Sequence, residues 1–299
     1  MNQEKSISTL TNTMAKFVKL VGNQLPTDVK EKLKELREEE NSELGVVVYD
    51  AMFENLDKAI ELDRPACQDT GVINFFIKAG INFPYLTELK EILPEAVKIA
   101  TEEAPLRHNA VEIFDEVNTG NNVGERAPFI HWEIVDDSSE IEIEAYMAGG
   151  GCSLPGRATT LMPAAGYEGI ADFVFDTMVD WGINACPPLL VGIGIAGSVE
   201  NAALLSKKAI LRPIGSSHSN SKGAEFEKLM EEKLNGLGLG PQGLNGDTTV
   251  MGVNVESAAR HPSTISVAIN VGCWSHRRGT IKIKEDLAYE IVSHEGAEL

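Results

Sequence analysis

No apolar run in this sequence approaches the roughly 20 residues that a membrane-spanning helix requires. The opening MNQEKSIST has no apolar stretch of the signal-peptide kind, so a cytoplasmic protein is expected. Basic residues are scarce. Lys and Arg number 26 against 45 Asp and Glu, a net charge of −19. A nucleic-acid partner, which needs a basic face, is therefore not expected, nor is a membrane partner. The acidic runs KELREEE, ATEEAP and EKLMEEK read as solvated surface, and an anionic substrate entering this field needs local arginines. Cysteine is sparse: Cys67, Cys152, Cys186 and Cys273. None belongs to a C-x-x-C pair, which weakens thioredoxin and zinc-ribbon readings. Disulfides are not expected in a cytosolic chain of this length. The sequence also has no repeat, no low-complexity segment and no clear linker.

What is present is a mixture of helix and strand patterns. Ile7, Leu10, Met14, Phe17 and Val18 recur at helical spacing. Pro26-Thr27-Asp28 ends one helix and starts another, with Thr27 as the expected N-cap. Val46, Tyr49, Met52, Leu56 and Ile60 predict a third helical stripe. VINFFIKAG predicts a strand leaving Gly71, and a helix is expected over about 86–103. FIHWEIV and IEIEAYM predict strands around a DDSS turn, and AGGG opens a loop with two prolines. Helices near 167–181, over SVENAALLSKKAI and over about 222–237 flank the buried-strand pattern PPLLVGIGI. TTVMGVNVE, TISVAINV and TIKIK close the chain with strands. Without regular β-α alternation the expected class is α+β, with 1–299 as a single domain in which residues 1–65 are mainly helical.

Polar residues break pattern at four places. Cys67-Gln68-Asp69-Thr70-Gly71 lies between a helix and a strand. Arg107-His108-Asn109 precedes the turn Asn118-Thr119-Gly120. Three glycines stand before Cys152, where backbone N–H groups can approach a ligand closely. The fourth group gathers Cys186, His261 and Cys273. Cys67, Cys186 and Cys273 each stand at an element end. Three such thiolates suit an iron–sulfur cluster with one iron open as a Lewis acid. Spacing alone supports three inert cysteines equally well, and a zinc site is a further alternative. Arg107 and Gln68 are suited to a carboxylate, and Asp69 or His261 to moving protons. Each also has a plain reading: Asp69 as a turn cap, Arg107 as a surface partner of Glu103, His261 as a loop histidine. His218 and His276 are expected at the surface, with SHRRG solvated or facing a partner. The triple glycine lacks the Lys-Ser/Thr of a phosphate loop, so nucleotide binding is not expected.

Taken together and in order, RPACQDTG, APLRHNAVEIFDEVNTG, YMAGGGCSLPGR, NACPPLLVGIGIA, KAILRPIGS, GLGPQGL, ESAARHPSTI and GCWSHRRGT resemble the iron–sulfur hydro-lyases of the class I fumarase type. The resemblance runs from the N-terminal helices nearly to the end of the chain. It implies that Cys67, Cys186 and Cys273 bind a [4Fe–4S] cluster. Gln68, Arg107 and the backbone N–H of Gly150 would contact substrate, and Asp69 and His261 would be catalytic. Cys152 stands where fumarases of this type usually have a serine-like residue, so the resemblance does not assign Cys152 to the cluster. The chain is short beside single-chain fumarases, which implies an alpha subunit completed by a beta subunit in an α2β2 heterotetramer. The implied reaction is dehydration of a 2-hydroxy dicarboxylate. L(+)-tartrate to oxaloacetate is placed first and malate to fumarate second, and a non-catalytic metal-binding scaffold is the rival from another class.

Overall fold

A computed structural model of the chain describes residues 3–299. Three helices open it, α1 (Gln3–Asn23), α2 (Thr27–Glu39) and α3 (Glu43–Glu61). There follow β1 (Val72–Gly80), α4 (Leu89–Glu103), the short pair β2 (Val111–Glu112) and β3 (Val117–Asn118), β4 (Phe129–Val135) and β5 (Ile141–Ala148). A single turn, α5 (Gly150–Ser153), leads to β6 (Arg157–Leu161), α6 (Gly166–Trp181), β7 (Leu189–Ala196), α7 (Val199–Leu211) and α8 (Ser221–Asn235). The strands β8 (Val250–Ser257), β9 (Ile265–Gly272), β10 (Arg278–Ile283) and β11 (Tyr289–Ile291) complete it. The class is α+β, as expected. The chain divides into two compact units. The first comprises Met1–Thr27, Glu54–Gly149 and Arg277–Leu299, and the second Asp28–Phe53 and Gly150–His276.

The first unit is built on a five-stranded sheet of order β11-β10-β5-β1-β4, in which only β1 and β4 run parallel. Strand period places Ile73, Phe75, Ile77 and Ala79 of β1 on one face. They pair in register with Met147, Ala145, Ile143 and Ile141 of β5. Leu10, Met14, Phe17, Val18 and Val21 of α1 and Leu93, Ala96, Val97 and Ala100 of α4 join them in one core. Each fully buried side chain of the size of Phe17 or Phe75 contributes about 1.5–3 kcal/mol. Antiparallel pairing brings the start of β1, the end of β5 and the start of β10 to the same end of the sheet. Val72 is opposite Ala148, and Arg278 is opposite Tyr146. Gly71, Gly149 and Arg277 therefore all leave from that end.

The second unit carries a four-stranded sheet of order β6-β9-β7-β8. β7 is buried almost throughout. Its residues Leu189, Val191 and Ile193 pack with Ile170, Val174 and Met178 of α6 and with Phe226, Met230 and Leu234 of α8. The alternate residues face α7. A Cβ at Gly194 would lie 1.9 Å from the carbonyl oxygen of Ala202, so glycine is what lets the helix approach so closely.

Several local expectations are corrected. Thr27 is not a cap. It lies within α2, donates its own N–H to the Ser293 carbonyl and accepts from the Glu295 N–H through its hydroxyl. Ile60 is exposed, and Ala59 takes its place in the buried stripe of α3. Not all of the acidic runs are solvated. Glu40 is buried and accepts hydrogen bonds from the N–H groups of Ser42, Asp247 and Thr248 and from the Thr248 hydroxyl. Glu227 is buried as well, accepting from Arg212 and from the N–H groups of Val255 and His218.

Candidate active site

The opening of β1 is where the first unit concentrates its polar chemistry. The turn Cys67–Gly71 is tied at both ends. Ala66 donates its N–H to the Gly22 carbonyl at 3.0 Å and accepts from the Asn55 amide at 2.8 Å. The buried Thr70 donates its hydroxyl to the Arg107 carbonyl at 3.3 Å. Gly71 has φ +76, and a Cβ there would lie 2.4 Å from the Ala148 carbonyl, so both conformation and space require glycine. Cys67 and Asp69 are half-buried, and Gln68 is exposed.

Asp69 is held from several sides. Its Oδ1 accepts from the Gly71 N–H at 3.1 Å, an Asx turn, and from Asn109 Nδ2 at 3.2 Å. The same Asn109 amide donates to the Gly71 carbonyl at 3.2 Å. Asn109 is itself fixed, because its N–H donates to Asn122 Oδ1 at 2.7 Å and the Asn122 amide donates to the Arg107 carbonyl at 3.0 Å. A Cβ at Gly149 would be 3.0 Å from Asp69 Oδ2, so the glycine turn lets the carboxylate lie close against the backbone. Arg277 Nη2 donates to the main-chain carbonyl of Asp69 at 2.6 Å. The plain reading of Asp69 as a turn cap is thus correct for Oδ1, while Oδ2 points at the glycine turn. The Arg107 side chain is exposed, and its main chain braces the turn.

In the second unit Cys186 follows a 3-10 turn over Gly182–Ala185 and takes φ 58, ψ 73, the left-handed region that a β-carbon disfavours. Such strain persists where surrounding structure imposes it, and it gathers at functional sites. Cys186 is exposed, and its carbonyl accepts from the Trp274 N–H at 3.2 Å, which brings the segment after Cys273 against it. Register explains the pairing, since Leu190 of β7 is opposite Gly272 of β9. Gly150 is exposed at the start of α5. At Gly151 a Cβ would lie 2.8 Å from the Asn184 carbonyl, so Gly151 lies against the same loop. Cys152 and Cys273 are buried and belong to the core of this unit. None of the four cysteines forms a disulfide, and among the described residues no three His, Cys, Asp or Glu side chains are gathered around a single metal position.

His261 lies elsewhere in that unit. It precedes β9, beside the end of β7, where Thr264 donates its hydroxyl to the Gly197 carbonyl. The eight residues of β9 separate it from Cys273, roughly 25 Å of strand. His261 Nδ1 accepts from the Ser263 N–H at 3.1 Å, which leaves Nε2 to carry the proton of the neutral ring. Arg260 shapes the loop by donating to the carbonyls of His261, Pro262 and Thr264.

The SHRRG segment departs most from expectation. His276 is buried, with Nε2 2.8 Å from the Ile210 carbonyl, and Arg277 and Arg278 are buried too. Their polar side chains gave no signal of burial. The only hint was their place between a strand pattern and TIKIK.

Residues 11–282 match the family model for fumarate hydratase (Fumerase). The chain is 58% identical over 293 residues to the L(+)-tartrate dehydratase subunit alpha of Escherichia coli (strain UTI89 / UPEC), covering 98% of this chain and 97% of that one. It is 57% identical over the same shares to the protein of that name in Shigella sonnei (strain Ss046). A putative L(+)-tartrate dehydratase subunit alpha of Methanocaldococcus jannaschii is 42% identical over 266 residues, 88% of this chain and 93% of that one. With a match of this extent, the chain belongs to the fumarate hydratase family and is an enzyme of the hydro-lyase class.

Proposed function

We propose that this chain is the cluster-bearing alpha subunit of a two-subunit cytoplasmic hydro-lyase. It dehydrates a 2-hydroxy dicarboxylate, L(+)-tartrate to oxaloacetate ahead of malate to fumarate. The observation that carries the reading is the Asp69 turn: a carboxylate fixed by Asn109 and the Gly71 N–H, two residues after Cys67, in a chain 58% identical to tartrate dehydratase alpha subunits. In this reading the whole of 1–299 serves one catalytic centre.

The donor chemistry fits a [4Fe–4S] group. Cys67, Cys186 and Cys273 are three thiols at element ends, in no disulfide, with Cys186 held in a strained conformation. Arg277, beside the Cys67 turn, keeps two buried nitrogens, Nε and Nη1, without a hydrogen-bond partner among the described residues, which suits a region that receives negative charge. When bound, the cluster supplies a Lewis acid for the leaving hydroxyl. The chain's own residues do the rest. Arg107 and Gln68 grip the substrate carboxylates, and the exposed Gly150 offers its N–H. Asp69, oriented by Asn109, directs Oδ2 to the proton it transfers. His261 carries its proton on Nε2. It is the second proposed catalytic group. The beta subunit completes the catalytic groups.

The test is turnover by the alpha and beta chains reconstituted anaerobically together, with tartrate and malate compared. Dehydration of tartrate with the higher kcat/KM is expected. Turnover of malate alone would replace tartrate as the substrate, and turnover of neither by a fully loaded enzyme would overturn the reading.

A further inference from the structure

Arg277 is among the largest fully buried side chains of the protein, 1% exposed. A guanidinium is a permanent cation in proteins, so Arg277 brings a positive charge into the interior. It has five N–H bonds. One nitrogen, Nη2, donates to the Asp69 carbonyl at 2.6 Å, while Nε and Nη1 are enclosed without a hydrogen-bond partner. No Asp or Glu pairs with it among the described residues. Buried arginines that serve packing alone are normally paired with a carboxylate, because an uncompensated buried charge is costly. Among the described residues, the single hydrogen bond the Arg277 side chain makes is to the main chain of the residue that carries the reacting carboxylate. That bond also adds to the bracing of the turn by Thr70 and Asn109. Nε and Nη1 are sealed from solvent, so the side chain does not reach a ligand by contact. It acts through the turn it holds and through its charge.

We propose that Arg277 is a positioning residue for the hydro-lyase reaction, pinning the Asp69 carbonyl so that the Cys67-Gln68-Asp69 turn keeps its reactive geometry. Its unpaired positive charge favours the site when that site carries the negative charge of thiolates and dicarboxylate. The proposal rests on the function proposed above. A displacement of about 1 Å in such a group is worth roughly a hundredfold in rate.

The experiment compares Arg277→Lys, Arg277→Gln and Arg277→Met in the alpha–beta enzyme. Two readouts are taken: kcat and KM with tartrate, and amide hydrogen exchange of the peptide spanning 66–71. In Arg277→Met we expect exchange of that peptide at least about tenfold faster, and kcat lowered by about a hundredfold with KM changed far less. Arg277→Lys, which keeps the charge and can still donate to the Asp69 carbonyl, should restore most of both. If the Met variant does not fold, the Gln and Lys variants carry the same comparison, Gln impaired and Lys restored. Lys no better than Met or Gln marks a packing role and overturns the proposal, as does unchanged exchange and kcat in the Met or Gln variant. If the wild-type enzyme itself turns over neither dicarboxylate, the functional reading fails, and hydrogen exchange alone still decides whether Arg277 holds the turn.

Discussion

Asn109→Asp tests the architecture around Asp69 with a change of one atom type. In the wild type the Asn109 amide donates to Asp69 Oδ1 and to the Gly71 carbonyl, both at 3.2 Å. A carboxylate has no proton for either, so two hydrogen bonds are lost, about 1 kcal/mol each. A second negative charge then faces the first at the same separation. Coulomb's law gives about 1 kcal/mol for that repulsion at the dielectric of water and about 5 kcal/mol at an effective dielectric of 20. Both groups are half-buried, so a total of about 4 kcal/mol is expected. Asn109→Ala removes the bonds without the repulsion, at about 2 kcal/mol. Urea unfolding of the two variants should therefore separate them by about 2 kcal/mol. Tartrate turnover should fall further in the Asp variant than in the Ala variant, because repulsion drives the Asp69 carboxylate out of position. Equal stability and equal kcat in the two variants would refute the claim that Asn109 orients Asp69.

Two further outcomes follow from single residues. Burial pushes the Lys207 amine down to about 8, with the neighbouring Cys152 opposing the shift. From about pH 8 up to the ordinary lysine value of 10.5, the unfolded chain binds a proton that the folded chain has released, so stability rises with pH across that window. With allowance for the partial exposure of the side chain the gain is on the order of 2 kcal/mol. Urea unfolding at pH 7 and pH 9.5, which spans only part of that window, should show about 1 kcal/mol of it, and Lys207→Met should flatten the slope. In Glu40→Gln an amide NH2 meets N–H and O–H donors that now bond a carboxylate, so thermal unfolding should show a loss of about 3 kcal/mol, and an unchanged Tm would contradict the buried network.

Where burial follows strand or helix period, the fold was legible in the sequence. Ile73, Phe75 and Ile77 alternate as a one-face strand must, and the near-continuous apolar run of β7 marks a strand covered on both faces. What escaped was set by partners distant in sequence. RATTL of β6 is a short, mostly solvated strand whose pattern did not stand out from the loop before it. Glu40 sits at the end of an acidic run, and only Asp247 and Thr248, some two hundred residues on, bury it. The Cys67–Gly71 motif pointed to chemistry by residue type alone. The use of Asn109 to aim Asp69, and of Arg277 to hold its carbonyl, depends on strand register that no local pattern encodes.

The most direct test of the central claim is iron and sulfide analysis, with the visible spectrum, of this chain reconstituted anaerobically with the proposed beta subunit. The wild type and Cys152→Ala should each hold about four iron and four sulfide per alpha chain, and Cys67→Ser, Cys186→Ser and Cys273→Ser should each lose the intact cluster. A full complement in any of the three serine variants, or a colourless wild-type protein holding zinc, would contradict it.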